Sequence, residues 1–75
     1  SSAPSLIREA DLLKDKEPLL AISKIEQALK IALEEKNTDQ EALCYRILGS
    51  INLKNNLTET AVRQLRRAFE LQAKD

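Results

Sequence analysis

Apolar residues recur along this chain at spacings of three and four, and short polar stretches interrupt the pattern three times. Leu6, Ala10 and Leu13 form one stripe with Ile7 beside it, so a first helix is predicted from Pro4 to about Lys16. Pro4 suits a first helical turn, where its missing N–H is not needed. Asp15-Lys16-Glu17-Pro18 breaks that helix, because Pro18 disfavours helix in the residue before it yet can start a new one. The second helix is predicted to about Lys36, with Ile22, Ile25, Ala28, Leu29, Ala32 and Leu33 as a wide buried stripe. Asn37-Thr38 is the next break, and Thr38 and Glu41 have the spacing of a capping box. The third helix then runs to about Leu53 with Cys44, Ile47, Leu48 and Ile51 inward. After Lys54-Asn55-Asn56, Thr58 is expected to cap a fourth helix while Leu57 packs on Val62 as a hydrophobic staple. Ala61, Val62, Leu65, Ala68 and Phe69 are expected to face inward, with fraying near Lys74-Asp75. Connections this short make neighbouring helices antiparallel. The expectation is a single all-α domain over 1–75, built as two helical hairpins.

The two hairpins repeat one another. An offset of 40 residues sets Ile7 on Ile47, Leu13 on Leu53 and Lys14 on Lys54; it continues with Ala21 on Ala61, Ile22 on Val62, Ile25 on Leu65, Ala28 on Ala68 and Leu29 on Phe69. The repeated unit, about 2–41 and again about 42–75, therefore carries two alanines seven apart on its second helix, where another helix can come close.

These residues resemble the tetratricopeptide repeat (TPR) family. Tyr45, then Leu48-Gly49, then Ala61, Leu65 and Ala68 follow the family pattern of a bulky residue before a Leu-Gly pair, and of Ala, a large apolar residue and Ala on the second helix. The first unit matches at Ala21, Ile25 and Ala28, whereas Glu9 stands where Gly is expected and Leu12 where an aromatic is common. The resemblance implies a right-handed solenoid fragment that binds a protein or peptide on a concave surface lined by the first helix of each unit. That surface would offer Ala3, Leu6, Ala10 and Lys14, then Leu43, Arg46, Ser50, Leu53 and Lys54, the last five and Lys14 being the candidate partner-binding set. Leu6-Ala10 and Arg46-Ser50 stand where one variant of the family grips a terminal carboxylate with Lys and Asn, so that particular activity is not expected. Lys14, Arg46 and Lys54 on one face predict an acidic or carboxylate-bearing ligand.

Composition narrows the chemistry. The 75 residues include no His, one Cys and one Gly, which excludes a His general base, a His–metal site, an internal disulfide and a Gly-rich phosphate loop. Cys44 lies at helical spacing with Ile47, Leu48 and Ile51 and reads as a buried small hydrophobe rather than a nucleophile. A non-catalytic module without cofactor or metal is expected. Twelve basic and twelve acidic residues cancel, so no overall field recruits nucleic acid or an anionic membrane. The longest apolar run, Leu19-Leu20-Ala21-Ile22, is far too short to span a bilayer, and a free thiol fits a reducing compartment, cytoplasmic with the nucleus as alternative. Ser1-Ser2 reads as a cut end of something longer.

Charge is nonetheless uneven. Residues 1–41 carry six basic and nine acidic side chains, net −3, and residues 42–75 carry six and three, net +3. Glu26/Lys30, Glu59/Arg63 and Glu70/Lys74 can support their own helices as i,i+4 pairs. Apolar flanks at Leu12, Leu20, Ile31 and Leu71 leave self-association, or cover by another helix, open. The alternative function is a helix-turn-helix whose recognition helix begins at Thr58 and presents Arg63, Gln64 and Arg67 to nucleic acid. Gly49 lies too early to make the tight turn of that motif, and the chain lacks its basic balance.

Overall fold

The computed structural model describes residues 2–73. Four helices follow one another: α1 (Ala3–Leu13), α2 (Pro18–Glu34), α3 (Thr38–Lys54) and α4 (Thr58–Ala73). No strand occurs among the described residues. Ser1, Lys74 and Asp75 lie outside them, and with them the expected cut end, the Glu70/Lys74 pair and the fraying terminus. α2, α3 and α4 start at twenty-residue intervals, so α4 begins 40 residues after α2, whereas α1 and α3 start 35 apart and α1 is the shorter helix.

The helices form an open array rather than a closed bundle. Among the described residues, α1 packs on α2 and α3, α3 packs on α2 and α4, and α4 lies against α3 alone. The Cα envelope is 32 × 29 × 15 Å, a slab with one thin dimension. The core runs through α1, α2 and α3: Leu6, Ile7 and Ala10 meet Ala21, Ile25 and Ala28, and both groups meet Cys44, Ile47, Leu48 and Ile51.

The turns explain the regular spacing. Lys36 and Asn56 adopt left-handed backbone conformations, with φ of 55° and 66°. After α2, Asn37 N–H donates to the Ala32 carbonyl at 2.9 Å and Lys36 N–H to Leu33 at 3.2 Å. After α3 the same pair recurs, Leu57 N–H to Asn52 at 2.9 Å and Asn56 N–H to Leu53 at 3.1 Å. Both are Schellman motifs, which satisfy carbonyls orphaned at a helix end and turn the chain sharply. The α1–α2 link lacks a left-handed residue and is one residue longer; Glu17 N–H and Lys16 N–H both reach the Leu13 carbonyl, at 2.8 and 3.1 Å.

Several local expectations are corrected. α1 stops at Leu13, three residues short of Lys16, because Lys14–Lys16 form the turn that brings Pro18 to the first position of α2. α3 is capped by Asn37, whose side chain accepts from Gln40 N–H at 3.0 Å, and Thr38 is the first helical residue, so the expected Thr38–Glu41 capping box does not form. α4 likewise begins at Thr58 itself, with Leu57 and Val62 both substantially exposed. Leu71 is buried, not an exposed flank, whereas Phe69 is 72% exposed and Leu33 about half exposed. Phe69 is exposed because α4 has a neighbour on one side only. Neither Glu26/Lys30 nor Glu59/Arg63 forms an ion pair; Arg63 donates instead to Thr60 Oγ1 at 3.3 Å.

Gly49 sits where α3 and α4 cross. A Cβ there would lie 2.6 Å from Leu65 Cγ, 2.7 Å from Leu65 Cδ2 and 3.3 Å from the Ala61 carbonyl oxygen. Gly49→Ala is therefore expected to destabilise the fold by about 1 kcal/mol, overpacking outweighing the gain in helix propensity. In urea denaturation the Gly49→Ala/Leu65→Ala double variant is expected to be more stable than the sum of the single losses predicts; simple additivity would show that the crossing does not require glycine. At Lys36 the opposite sign is expected. Lys36→Gly removes the left-handed penalty and raises stability by about 1 kcal/mol, while Asn56→Gly gains less because Asn tolerates that conformation.

Candidate functional site

A groove of about 380 Å³ opens between α1 and α3, the first helices of the two units. Ile7, Leu43 and Ile47 provide its apolar lining, and Arg8, Asp11, Lys14, Arg46 and Ser50 its polar lining. Each side chain arrives through helix geometry. Ile7 and Asp11 lie four apart on one face of α1, and Lys14, at its C-cap, continues that face three residues on; Leu43, Ile47 and Ser50 have the same spacing on α3. Ile7 and Ile47, equivalent at the 40-residue offset, are both buried and form the centre of the floor.

Four of the six sequence-predicted partner-binding residues come together here: Lys14, Leu43, Arg46 and Ser50. Leu53 and Lys54 do not line the groove. Leu53 is half exposed further along α3, and Lys54 Nζ reaches back to Asp15 Oδ1 at 2.6 Å, tying the end of α3 to the α1–α2 turn. That ammonium holds the Asp15 carboxyl below its usual range, by hydrogen bond first and by charge second. Lys24 does the same to Glu9 from α2, at 2.9 Å. Both pairs are solvated, and solvent screening leaves them little weight in stability.

The groove's charge differs from the sequence expectation in composition rather than in sign. Lys14 is engaged by Asp11 on its own helix, and Lys54 is engaged elsewhere, so Arg46 is joined by Arg8 as the unpaired cations of the lining among the described residues. Arg8 and Asp11 were legible only through the repeat. At the 40-residue offset Arg8 falls on Leu48 and Asp11 on Ile51, both buried. A guanidinium and a carboxylate at such positions signal a face that no second unit covers.

On α4, Arg67 lies 3.9 Å from Glu41 of α3 and 3.8 Å from Glu70, and Arg63 bonds Thr60. Gln64, another residue of the helix-turn-helix alternative, accepts a 2.8 Å hydrogen bond from Asn52 Nδ2 and lies against α3. Among the described residues no three Cys, Asp or Glu side chains converge as a metal site, and no helix is long and apolar enough to cross a membrane.

Cys44 is fully buried in the core. Burial first, and Glu41 second, push its thiol up to about 11. The unfolded thiol ionises near 9, so between these values the unfolded chain releases its proton before the folded one does. Stability is therefore expected to be intact below pH 9 and to fall as pH rises toward 11. Cys44→Ala removes that part of the decline, which matched denaturation curves of the two proteins measure as a difference; identical slopes would mean that the thiol is not shielded.

Searched against protein-family models, curated proteins and solved structures, the chain matches none.

Proposed function

We propose that this chain is a non-catalytic protein-interaction module, a TPR-like adaptor whose α1–α3 groove takes an acidic peptide segment. The observation that carries the reading is the groove itself. The first helices of both repeat units line one apolar-floored channel, and two arginines on different helices stand in its lining without carboxylate partners among the described residues. The open order of packing, in which each hairpin lies against the next, supports a solenoid fragment over a closed bundle.

The chemistry of recognition follows from the lining. An extended or helical segment would place an apolar side chain over Ile7, Leu43 and Ile47 and carboxylates beside Arg8 and Arg46. Arginine suits this role because its planar fork meets a carboxylate with two parallel hydrogen bonds. Asp11 partly opposes an acidic ligand and is itself neutralised by Lys14, so the attraction concentrates at the two arginines. Such a contact is salt-sensitive, as exposed charges are screened within about 8–10 Å.

The test is fluorescence anisotropy with labelled acidic peptides of apolar-plus-Glu composition, against neutral peptides of equal length and a DNA duplex. Acidic peptides are expected to bind most tightly, more weakly at high salt. Arg46→Glu or Arg8→Glu is expected to weaken binding at least about ten-fold while leaving the melting curve unchanged, since both side chains are exposed. Equal affinity for charge-reversed and parent proteins would place the interface elsewhere, and preference for the duplex would favour the α4 recognition-helix reading.

A further inference from the structure

The two units are not covered alike. On α2, Ile22, Ile25 and Leu29 form a stripe packed into the cluster to which α3 contributes Cys44, Ile47, Leu48 and Ile51. Forty residues on, the same stripe on α4 is Val62, Leu65 and Phe69; Leu65 packs on Gly49 of α3, but the outer edge is bare, with Val62 44% and Phe69 72% exposed. The first helices repeat the contrast. Leu6 and Ala10 are buried in α1, while their counterparts on α3, Arg46 and Ser50, are exposed. The second unit thus leaves exposed Arg46, Ser50, Val62 and Phe69, whose first-unit counterparts Leu6, Ala10, Ile22 and Leu29 are buried or packed on the core.

The equivalence also says what fits there. α2's stripe is covered by an antiparallel helix with apolar residues at i, i+3, i+4 and i+7, which are Cys44, Ile47, Leu48 and Ile51 of α3. The corresponding residues of α1 are Pro4, Ile7, Arg8 and Asp11. A second copy stacked head to tail would therefore set Arg8 and Asp11 against Val62, Leu65 and Phe69, leaving a guanidinium and a carboxylate buried on an apolar stripe. The net charges of the two halves, −3 and +3, would attract such a copy, but steering cannot repay that desolvation. Arg66 stands one helical turn from both Val62 and Phe69, and Arg46 is exposed on α3; neither has an ion-pair partner among the described residues.

The geometry points to α4, with the adjoining edge of α3, as a second docking surface, occupied by an amphipathic helix of another polypeptide. That helix runs antiparallel to α4, carries apolar residues at i, i+3, i+4 and i+7, and sets carboxylates beside Arg46 and Arg66. The surface is distinct from the α1–α3 groove, sharing Arg46 at its border, and stands whether or not the groove binds peptide.

The probe is a lactam-bridged helical peptide of about five turns, with Leu at those four positions and Glu on both flanks, compared with the same composition at scrambled spacing. Titrated into the ¹⁵N-labelled chain, it is expected to shift amides across Val62–Phe69 more than those of Ile7 and Leu43. Affinity for this face is read from the α4 amides alone; Phe69→Glu is expected to weaken it at least about ten-fold, and Arg8→Glu, which disables the groove, to leave the α4 titration within about two-fold. Thermal melts of Phe69→Glu check the fold, with Val62→Glu as a second variant at a less exposed position. Three results overturn the proposal: shifts confined to the α1–α3 groove, equal shifts of the α4 amides by the scrambled peptide, or a concentration-dependent doubling of mass that Phe69→Glu abolishes. The last would assign the face to a second copy.

Discussion

Close approach of helix backbones is the constraint on which this structure rests. Eight of the sixteen buried hydrophobic residues among those described are alanines, and at the α3–α4 crossing even a methyl group is too large. A chain this short cannot bury enough large side chains to hold four helices at ordinary separation. Small residues trade side-chain area for dispersion between backbones packed near the density of an organic crystal. The thin slab and the short turns follow, because helices that approach so closely can be joined by links of only three or four residues.

Most of this architecture was legible in the chain because the helical period is strong where α1, α2 and α3 pack against one another. Cys44, Ile47, Leu48 and Ile51 are buried as their spacing implies, and the four expected helices form. What the pattern could not supply was the number of neighbours each helix has. Val62 and Phe69 continue the apolar stripe of α4 but face outward, whereas Leu71, outside that stripe, is buried. Periodicity identifies an apolar face; it does not say whether anything lies against it. Capping failed for a related reason. Asn37 and Thr38 are both good caps, and the Schellman turn after α2 puts Asn37, not Thr38, at the cap position.

The candidate groove was legible in four residues of six, again for physical reasons. Lys14, Leu43, Arg46 and Ser50 were placed by helical register, which is local. Lys54 was lost to an ion pair with Asp15, a residue distant in sequence that only the folded chain brings near. Arg8 stands on α1 where its repeat partner Leu48 is buried, and its role emerges only when the two units are compared position by position.

The order of packing also sets how the molecule comes apart. α3 touches every other helix, while α4 touches α3 alone. Losing α3 would strip the core from α1 and α2, whereas releasing α4 would leave three helices still in mutual contact. Amide exchange in such a chain is expected to be slowest in the central helix. A partner that grips α4 would then do more than occupy a surface, since it would oppose the release of that helix.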